Sequence, residues 1–525
     1  MTETTDSTTV AAARRMSHGE QLARAARLHP DRIAFSYRDE RRSYAETDER
    51  VTRLARALQD RGVQRGDRVA VHMFNRLEVV ESYLAACRLG AIAVPVNFRL
   101  VADEVAYILS DAEPSALLVD SDLAATSATA RRGLEGLTAV LATGGAVAEA
   151  GPGAEDYEQA LAGVDPAPLD IDVPETDPAF IMYTSGTTGR PKGAVLSHQN
   201  LVTNSTNCMI PQGISGDDEV WLSGLPLFHI GGLNGVLFYL MVGGTSIILG
   251  SGGFDAGEVV DLLEREQVTS CYFVPTQWRD ICAVPGVADR KLALRRISWG
   301  ASVAPPSVLQ TMADTFPGVP NYNMFGQTEM SSVTCALRGE DAVRKMGSVG
   351  KPVVNVEARI VDSEGSEVPT GAVGEIVYRG PTVMQGYWRK PEATEESFAG
   401  GWFHSGDLCV ADDEGFIRVV DRTKDMIVSG GENIYCAEVE AAIDSHPKVA
   451  EIAVIGVPHP KWVETPCAVV VPADAAAPPT EQEVIEHCRQ RLASYKKPTS
   501  LVVVDSLPRN ASGKVQKFRL REQVA

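Results

Sequence analysis

No two cysteines in this sequence form a Cys-x-x-Cys pair, and its nine cysteines are scattered over 525 residues with no histidine cluster at ligand spacing. That sets aside a zinc knuckle and a disulfide framework, and it fits a reducing, cytoplasmic setting. Positive charge is also short: 49 lysines and arginines stand against 69 acidic residues, a formal net charge of −20. Such a balance excludes a nucleic-acid partner held by phosphate contacts, and any anionic ligand must be held by a local site. Long apolar runs are missing as well. The N-terminus, Met1-Thr-Glu-Thr-Thr-Asp-Ser-Thr-Thr9, is polar and has no signal core. The most apolar stretch, Val236 to Gly250, is broken by Gly243-Gly244 and reads as core, so no stable membrane insertion is expected. No internal repeat is visible. Oligomeric state is not written in the chain, and a homodimer is entered only as a default.

What is present is a chain too long for one core, with 44% hydrophobic and 22% charged residues, as in an ordinary globular enzyme. Residues 1–15 read as a disordered tail. From there the pattern alternates helix and strand: Tyr44 to Leu58 has apolar residues at helical spacing, Asp67 to Met73 reads as a strand, Leu77 to Leu89 as a helix, and Ala91–Val96 and Ala116–Val119 as strands. Residues 139–177, rich in Ala, Gly, Pro and acidic residues, read as a loose connection. A second α/β rhythm follows, with strands at 244–249, 268–274 and 296–299. From 346 to 421 short strands split by turns suggest a small antiparallel β-barrel. Residues 422–525 read as a compact α/β segment. The expected architecture is therefore α/β: an N-terminal core over 16–421, made of two α/β subdomains to about residue 345 and the barrel, then a small C-terminal α/β domain over 422–525.

Between the strand-like Pro178-Ala-Phe-Ile-Met-Tyr183 and the apolar Ala194-Val-Leu lies Thr184-Ser-Gly-Thr-Thr-Gly-Arg-Pro-Lys-Gly193. Glycines (Gly186, Gly189) let backbone N–H groups approach an anion, hydroxyls (Thr184, Ser185, Thr187, Thr188) add donors, and Lys192 adds a point charge. A strand entering such a turn is a phosphate cradle. It is not the Walker form, because Lys192 follows a proline and precedes a glycine.

Four more stretches join it: Asn323-Met-Phe-Gly-Gln-Thr-Glu-Met330, Trp402-Phe-His-Ser-Gly-Asp-Leu408, Asp421-Arg-Thr-Lys-Asp-Met-Ile-Val-Ser-Gly-Gly-Glu-Asn433 and Leu507-Pro-Arg-Asn-Ala-Ser-Gly-Lys-Val-Gln-Lys517. Alone, Glu329 would read as a capping carboxylate and Lys514 as a solvated lysine. In this order the series resembles the adenylate-forming superfamily (acyl-CoA synthetases, peptide-synthetase adenylation domains and beetle luciferases) and looks most like a bacterial acyl-CoA synthetase. The resemblance implies an enzyme that uses ATP and Mg²⁺ to convert a small-molecule carboxylic acid to acyl-AMP and then transfers the acyl group to CoA. It assigns Thr184, Ser185, Gly186, Thr187, Thr188, Gly189 and Lys192 to the departing phosphates, Thr328 to the α-phosphate and Glu329 to Mg²⁺. Phe325, where relatives usually carry tyrosine, would stack on adenine, Asp407 and Arg422 would hold the ribose, and Lys514 would be the adenylation lysine. It makes Lys424 the hinge of a mobile C-terminal domain that alternates between half-reactions and presents Gly430 and Gly431 to a thiol tunnel.

For the acyl site the resemblance implies His229 as a gate and a pocket lined by Asn234, Trp278, Gly300, Ala301, Ser302, Met324 and Met330, with Gln277 and Ser332 as further polar tips. A medium-chain fatty acid and a small aromatic acid both suit that set. Trp462 and Lys497 would contact CoA. Val463 replaces a usual glycine and Thr499 a usual cation, which keeps a second acceptor open: a carrier protein's phosphopantetheine or another nucleophile. A non-catalytic nucleotide sensor on the same fold is the remaining alternative, and joint retention of Glu329, Asp407, Arg422 and Lys514 speaks against it.

Overall fold

Runs such as Ala116-Leu-Leu-Val119 show no polar alternation, so they must be covered on both faces, which parallel strands flanked by helices achieve. A computed structural model gives the fold and describes residues 13–184, 190–216, 218–302, 304–429, 432–489, 491–509 and 515–524. The chain divides into two units, Met1–Glu357 with Arg379–Phe398, and Ala358–Tyr378 with Ala399–Ala525.

The first unit holds two large sheets. One has eight strands in the order Gly386–Tyr387, Lys192–Ser197, Pro178–Thr184, Ile92–Pro95, Arg68–His72, Ala116–Val119, Ala139–Ala142 and Ala154–Asp156. It is parallel from Pro178–Thr184 onward and antiparallel at the Lys192–Ser197 edge. The helix Tyr44–Asp60 starts at Ser43, whose hydroxyl accepts the Glu46 N–H while Glu46 accepts the Ser43 N–H. Helix Leu77–Leu89 stops at Gly90, which takes a left-handed φ of 72°. Residues 139–177, expected as a loose connection, instead carry two strands and the helix Tyr157–Leu161. Ala139-Val-Leu-Ala142 is wholly buried on the sheet. So short a run takes its strand character from its neighbour, not from its own pattern. The expected tail also ends earlier, because Arg15 pairs with Asp172 at 2.5 Å; residues 1–12 lie outside the described residues.

The second sheet has nine strands, ordered Lys351–Pro352, Ser332–Leu337, Asn321–Gln327, Arg296–Gly300, Ser270–Phe273, Val220–Ser223, Thr245–Ile248, Ile33–Tyr37 and Glu40–Ser43. Its middle is parallel, and Ser332–Leu337 turns back antiparallel on Asn321–Gln327. Helix His198–Gln212 is capped by Ser197, which accepts the Asn200 N–H at 3.1 Å.

Over the stretch expected as a small barrel, strands Glu357–Val361, Gly374–Arg379, Phe403–Ala411 and Ile417–Arg422 form a four-stranded sheet. The chain ends in a sheet of Glu432–Ile434, Ile427–Ser429, Val463–Pro472 and Val449–His459, with Ser500–Val503 parallel to Val463–Pro472. The chain passes from the first unit to the second at 357/358 and again at 398/399. Within the second unit the Asp421 carboxylate accepts the Cys436 backbone N–H at 2.5 Å and so fastens the strand Ile417–Arg422 to the helix Cys436–Asp444.

Three histidines are buried in the first unit. His18 and His198 face each other with Nδ1 atoms 2.9 Å apart, Cys87 lies beside them, and His72 Nδ1 meets the Ser127 hydroxyl at 2.8 Å. Burial holds all three imidazoles below the ordinary histidine value, His72 at about 4 and His198 at about 3, with His198 adding to burial at His18. They are neutral when folded and take protons on unfolding below about pH 6.5. Stability is therefore full above that pH and is lost as pH falls from about 6.5 toward 4, by up to about 1.4 kcal/mol per pH unit for each group. The urea midpoint is expected to drop steeply between pH 6.5 and 5; an unchanged midpoint would contradict this account.

Candidate active site

Strands Pro178–Thr184 and Lys192–Ser197 pair antiparallel with Thr184 opposite Lys192, which closes the glycine- and hydroxyl-rich turn at its base. Ser185, Gly186, Thr187, Thr188 and Gly189 lie outside the described residues. Beyond the pair, Gly193 packs so tightly that a Cβ would lie 2.5 Å from Ile181 Cγ2. The Tyr107 hydroxyl donates to the Pro191 carbonyl at 3.0 Å, holding the returning arm.

Glu329 comes to this hairpin from the second sheet. Strand Asn321–Gln327 carries Met324 and Phe325, then breaks into the short turn Thr328–Met330 before reversing. The reversal is strained: Ser331 and Ser332 have φ of 60° and 116°, conformations that side chains rarely adopt. It also needs Gly326, where a Cβ would sit 1.8 Å from the Ser332 carbonyl oxygen. The result aims Glu329 Oε1 at two donors, the Thr184 hydroxyl at 3.3 Å and the Tyr387 hydroxyl at 3.1 Å. Lys192 Nζ lies 5.1 Å from the centre of the Tyr387 ring. Thr184, Lys192 and Glu329 are thus gathered at one place.

Tyr387 was not anticipated from sequence. Its segment laces the site together: Met384 N–H donates to the Glu329 carbonyl (2.8 Å), Gln385 N–H to Val195 (2.9 Å) and Trp388 N–H to Gly193 (2.7 Å). Asn200 holds the approach, donating to the carbonyls of Pro381 and Val383 at 2.7 and 3.0 Å. Burial and the neighbouring Glu329 push the Tyr387 phenol up, so it stays a donor. The aromatic doublet Tyr387-Trp388 was the available signal, but it lay in text read as barrel.

Beside this point a narrow cavity of about 50 Å³ opens between helix His198–Gln212, helix Ile230–Met241 and the second sheet. Asn234, Met324 and Ser332 line it, together with Cys208, Gln212, Trp221 and Ser298. Gly235 admits Trp221, since a Cβ there would lie 2.1 Å from the indole. His229 caps helix Ile230–Met241, its Nδ1 accepting the Gly231 N–H at 3.2 Å. Trp278 requires correction. It is fully buried, its indole N–H donates to the Ser298 carbonyl at 3.0 Å, and Phe273 and Phe316 pack against it in T-shaped contacts, so it is core. Met330 is likewise fully buried and is not part of the lining, nor are Gly300, Ala301 and Ser302. Gly300 instead meets strand Asn321–Gln327 so closely that a Cβ would lie 2.3 Å from the Met324 carbonyl oxygen.

In the second unit, Asp407 and Arg422 stand opposite each other on paired strands, with Arg422 Nε 2.5 Å from the buried Asp407 carboxylate. Lys424 is exposed in the turn that follows. Trp462 is exposed under Lys461, whose Nζ lies 4.4 Å from the ring centre, and Lys497 is half-buried. Val463, standing where a glycine is usual, holds a left-handed φ of 71°, so the turn keeps a glycine's conformation with a β-branched residue in it. Gly430, Gly431 and Lys514 lie outside the described residues. The base of the loop carrying Lys514 is described: Arg509 bridges Val515, and Gln516 N–H donates to the Pro508 carbonyl at 2.7 Å.

Comparison with known proteins gives two family matches, "AMP-binding enzyme" over residues 22–388 and "AMP-binding enzyme C-terminal domain" over residues 438–514. A feruloyl-CoA synthase of an Amycolatopsis species is 39% identical over 506 residues, covering 96% of this chain and 98% of that protein. An indoleacetate–CoA ligase of Aromatoleum aromaticum is 37% identical over 513 residues, covering 97% and 98%. Among solved structures, the Bacillus subtilis o-succinylbenzoate CoA synthetase in complex with its acyl-adenylate intermediate has a TM-score of 0.84 at 32% identity, covering 97% of this chain and 98% of that one.

Proposed function

This chain belongs to the AMP-binding enzyme family, and from that we propose that it is an AMP-forming acid–thiol ligase that activates a carboxylic acid with ATP and transfers the acyl group to CoA. Its acid is proposed to be aromatic, in keeping with the names of the relatives. The observation that carries the reading is the convergence of Thr184, Lys192 and Glu329, from two sheets, beside the glycine-rich turn.

In the first step a carboxylate oxygen bonds to the α-phosphorus and the bond to pyrophosphate breaks. In the second, the CoA sulfur bonds to the acyl carbon and AMP leaves. The chain's task in the first is to set cationic and donor groups around a phosphorus whose charge is being redistributed. Thr184, the turn after it and Lys192 are assigned to the leaving pyrophosphate, Thr328 to the α-phosphate, Phe325 to adenine, Asp407 and Arg422 to the ribose, and Lys514 to the attacking carboxylate and the α-phosphate. Lys424 is assigned as the pivot between steps, His229 as the gate, and Trp462 and Lys497 to CoA. Glu329 and the Thr184 hydroxyl are hard oxygen donors of the kind Mg²⁺ takes, and both fit such an ion. When bound it would neutralise phosphate charge. A cytoplasmic location belongs to the same reading; no helix among the described residues is long and apolar enough to cross a membrane.

Pyrophosphate release measured across a panel of aromatic and alkyl acids tests the first step, and mass spectrometry of the product with CoA or with a carrier protein tests the acceptor. No acid-dependent pyrophosphate release would sink the proposal. Tyr387→Phe removes one of the two hydrogen bonds at Glu329 Oε1 and is expected to slow pyrophosphate release roughly tenfold, in line with a hydrogen bond to a charged group. An unchanged rate would show that Tyr387 does not position the carboxylate.

A further inference from the structure

Helix Ala102–Ala112 carries two polar side chains one turn apart, Tyr107 and Asp111, and each reaches one arm of the phosphate hairpin. Tyr107 holds the Pro191 carbonyl, next to Lys192. Asp111 Oδ2 accepts from the Tyr183 hydroxyl at 2.8 Å, next to Thr184. Successive side chains of a strand point to opposite faces, so Tyr183 turns to the helix while Thr184 turns to Glu329. Gly193, opposite Tyr183 in the pairing, leaves room for the ring, since a Cβ there would lie 3.2 Å from Tyr183 Cζ. Asp111 Oδ1 accepts from Lys390 Nζ at 2.8 Å, and the Asp111 carbonyl accepts from the Trp388 indole N–H at 3.1 Å. The same residue therefore also fastens the segment that delivers Tyr387.

A carboxylate is poorly placed there for the helix's own sake. Asp111 lies in the last turn, where the carbonyl ends disfavour negative charge and no basic residue of the helix offsets it. Its side chain is only 10% exposed, and its side-chain partners come from 72 and 279 residues away. Burial and the bond to Asp111 push the Tyr183 phenol up, so it stays a donor. We propose that Asp111 is a positioning residue for the phosphate site: through Tyr183 and Lys390 it fixes Thr184, Lys192 and Tyr387 relative to one another before Mg·ATP binds. This rests on the reading that Thr184 and Lys192 take the pyrophosphate end of ATP. Asp111 acts from the face of the strand opposite Thr184, through other residues. With both arms already ordered, binding carries a smaller entropy cost.

The test is calorimetric titration of the full-length enzyme with Mg·ATP and, separately, with AMP, which lacks the β- and γ-phosphates. Tyr183→Phe and Asp111→Ala are each expected to weaken Mg·ATP binding by roughly tenfold, the loss of one hydrogen bond to a charged group, while AMP binds as in wild type. The double variant is expected to bind Mg·ATP no more weakly than Asp111→Ala alone, because both substitutions remove the same bond. Asp111→Asn, which keeps the shape and removes the charge, serves if Asp111→Ala does not fold, and it too is expected to weaken Mg·ATP and spare AMP. Equal weakening of both nucleotides is what a merely structural role gives, and it overturns the proposal. Wild-type affinity for both in a folded variant, or additive effects in the double variant, overturns it as well. If the wild-type enzyme binds no Mg·ATP, or binds it and releases pyrophosphate with no acid, the parent reading fails instead.

Discussion

Lys514→Ala is expected to slow acyl-AMP formation by roughly a hundredfold or more, while acyl-AMP supplied from outside is still converted to the thioester at close to the normal rate. The reason is charge. A carboxylate must approach an anionic triphosphate in a protein whose own formal charge is −20, so the approach depends on a placed cation. The base of the loop is held without Lys514, by the Arg509–Val515 bridge, the Gln516 N–H on Pro508 and the Arg509–Glu451 ion pair at 2.7 Å. Alanine therefore removes the cation and leaves the loop's anchorage. Single-turnover measurement of each half-reaction separates the outcomes, and equal loss in both would refute the division of labour.

Glu329→Gln is the other large effect, a fall of roughly 10²- to 10³-fold in pyrophosphate release. The amide oxygen can still accept from the Thr184 and Tyr387 hydroxyls, so the local shape survives and the lost quantity is one negative charge. If that charge serves Mg²⁺, the Mg²⁺ concentration for half-maximal rate rises, and calorimetric titration of the enzyme with Mg·ATP shows weaker binding. A variant with wild-type Mg²⁺ dependence would exclude Glu329 as a metal ligand. Gly326 protects the same arrangement, and its strained neighbours Ser331 and Ser332 are tolerated because the reversal they make is what aims the carboxylate.

Local pattern made much of the fold readable. Leu77–Leu89 and Ala116–Val119 are bounded in the structure as read, because a helix's periodicity and a short buried run are properties of neighbouring residues. Ala139–Ala142 and Ala154–Asp156 were missed because each owes its strand state to a partner elsewhere in the chain. Thr184, Lys192 and Glu329 were singled out from their motifs, and the fold brings them close together. Tyr387 was not, since it acts on a carboxylate that only folding brings near. Trp278 was expected in the lining of the acyl pocket. A tryptophan can spend its N–H on a backbone carbonyl and bury both faces, as this one does, and nothing in its neighbours announces that.

The strand Gly386–Tyr387 has a consequence for how the protein is made. It covers the outer edge of Lys192–Ser197, and its tyrosine joins a carboxylate 58 residues earlier that itself meets a hydroxyl 145 residues before it. A ribosome therefore exposes the edge Gly193-Ala-Val-Leu196 in the nascent chain well before the strand that shields it has been translated. A chain released early, anywhere short of residue 386, would carry an unshielded apolar edge and be a substrate for chaperones.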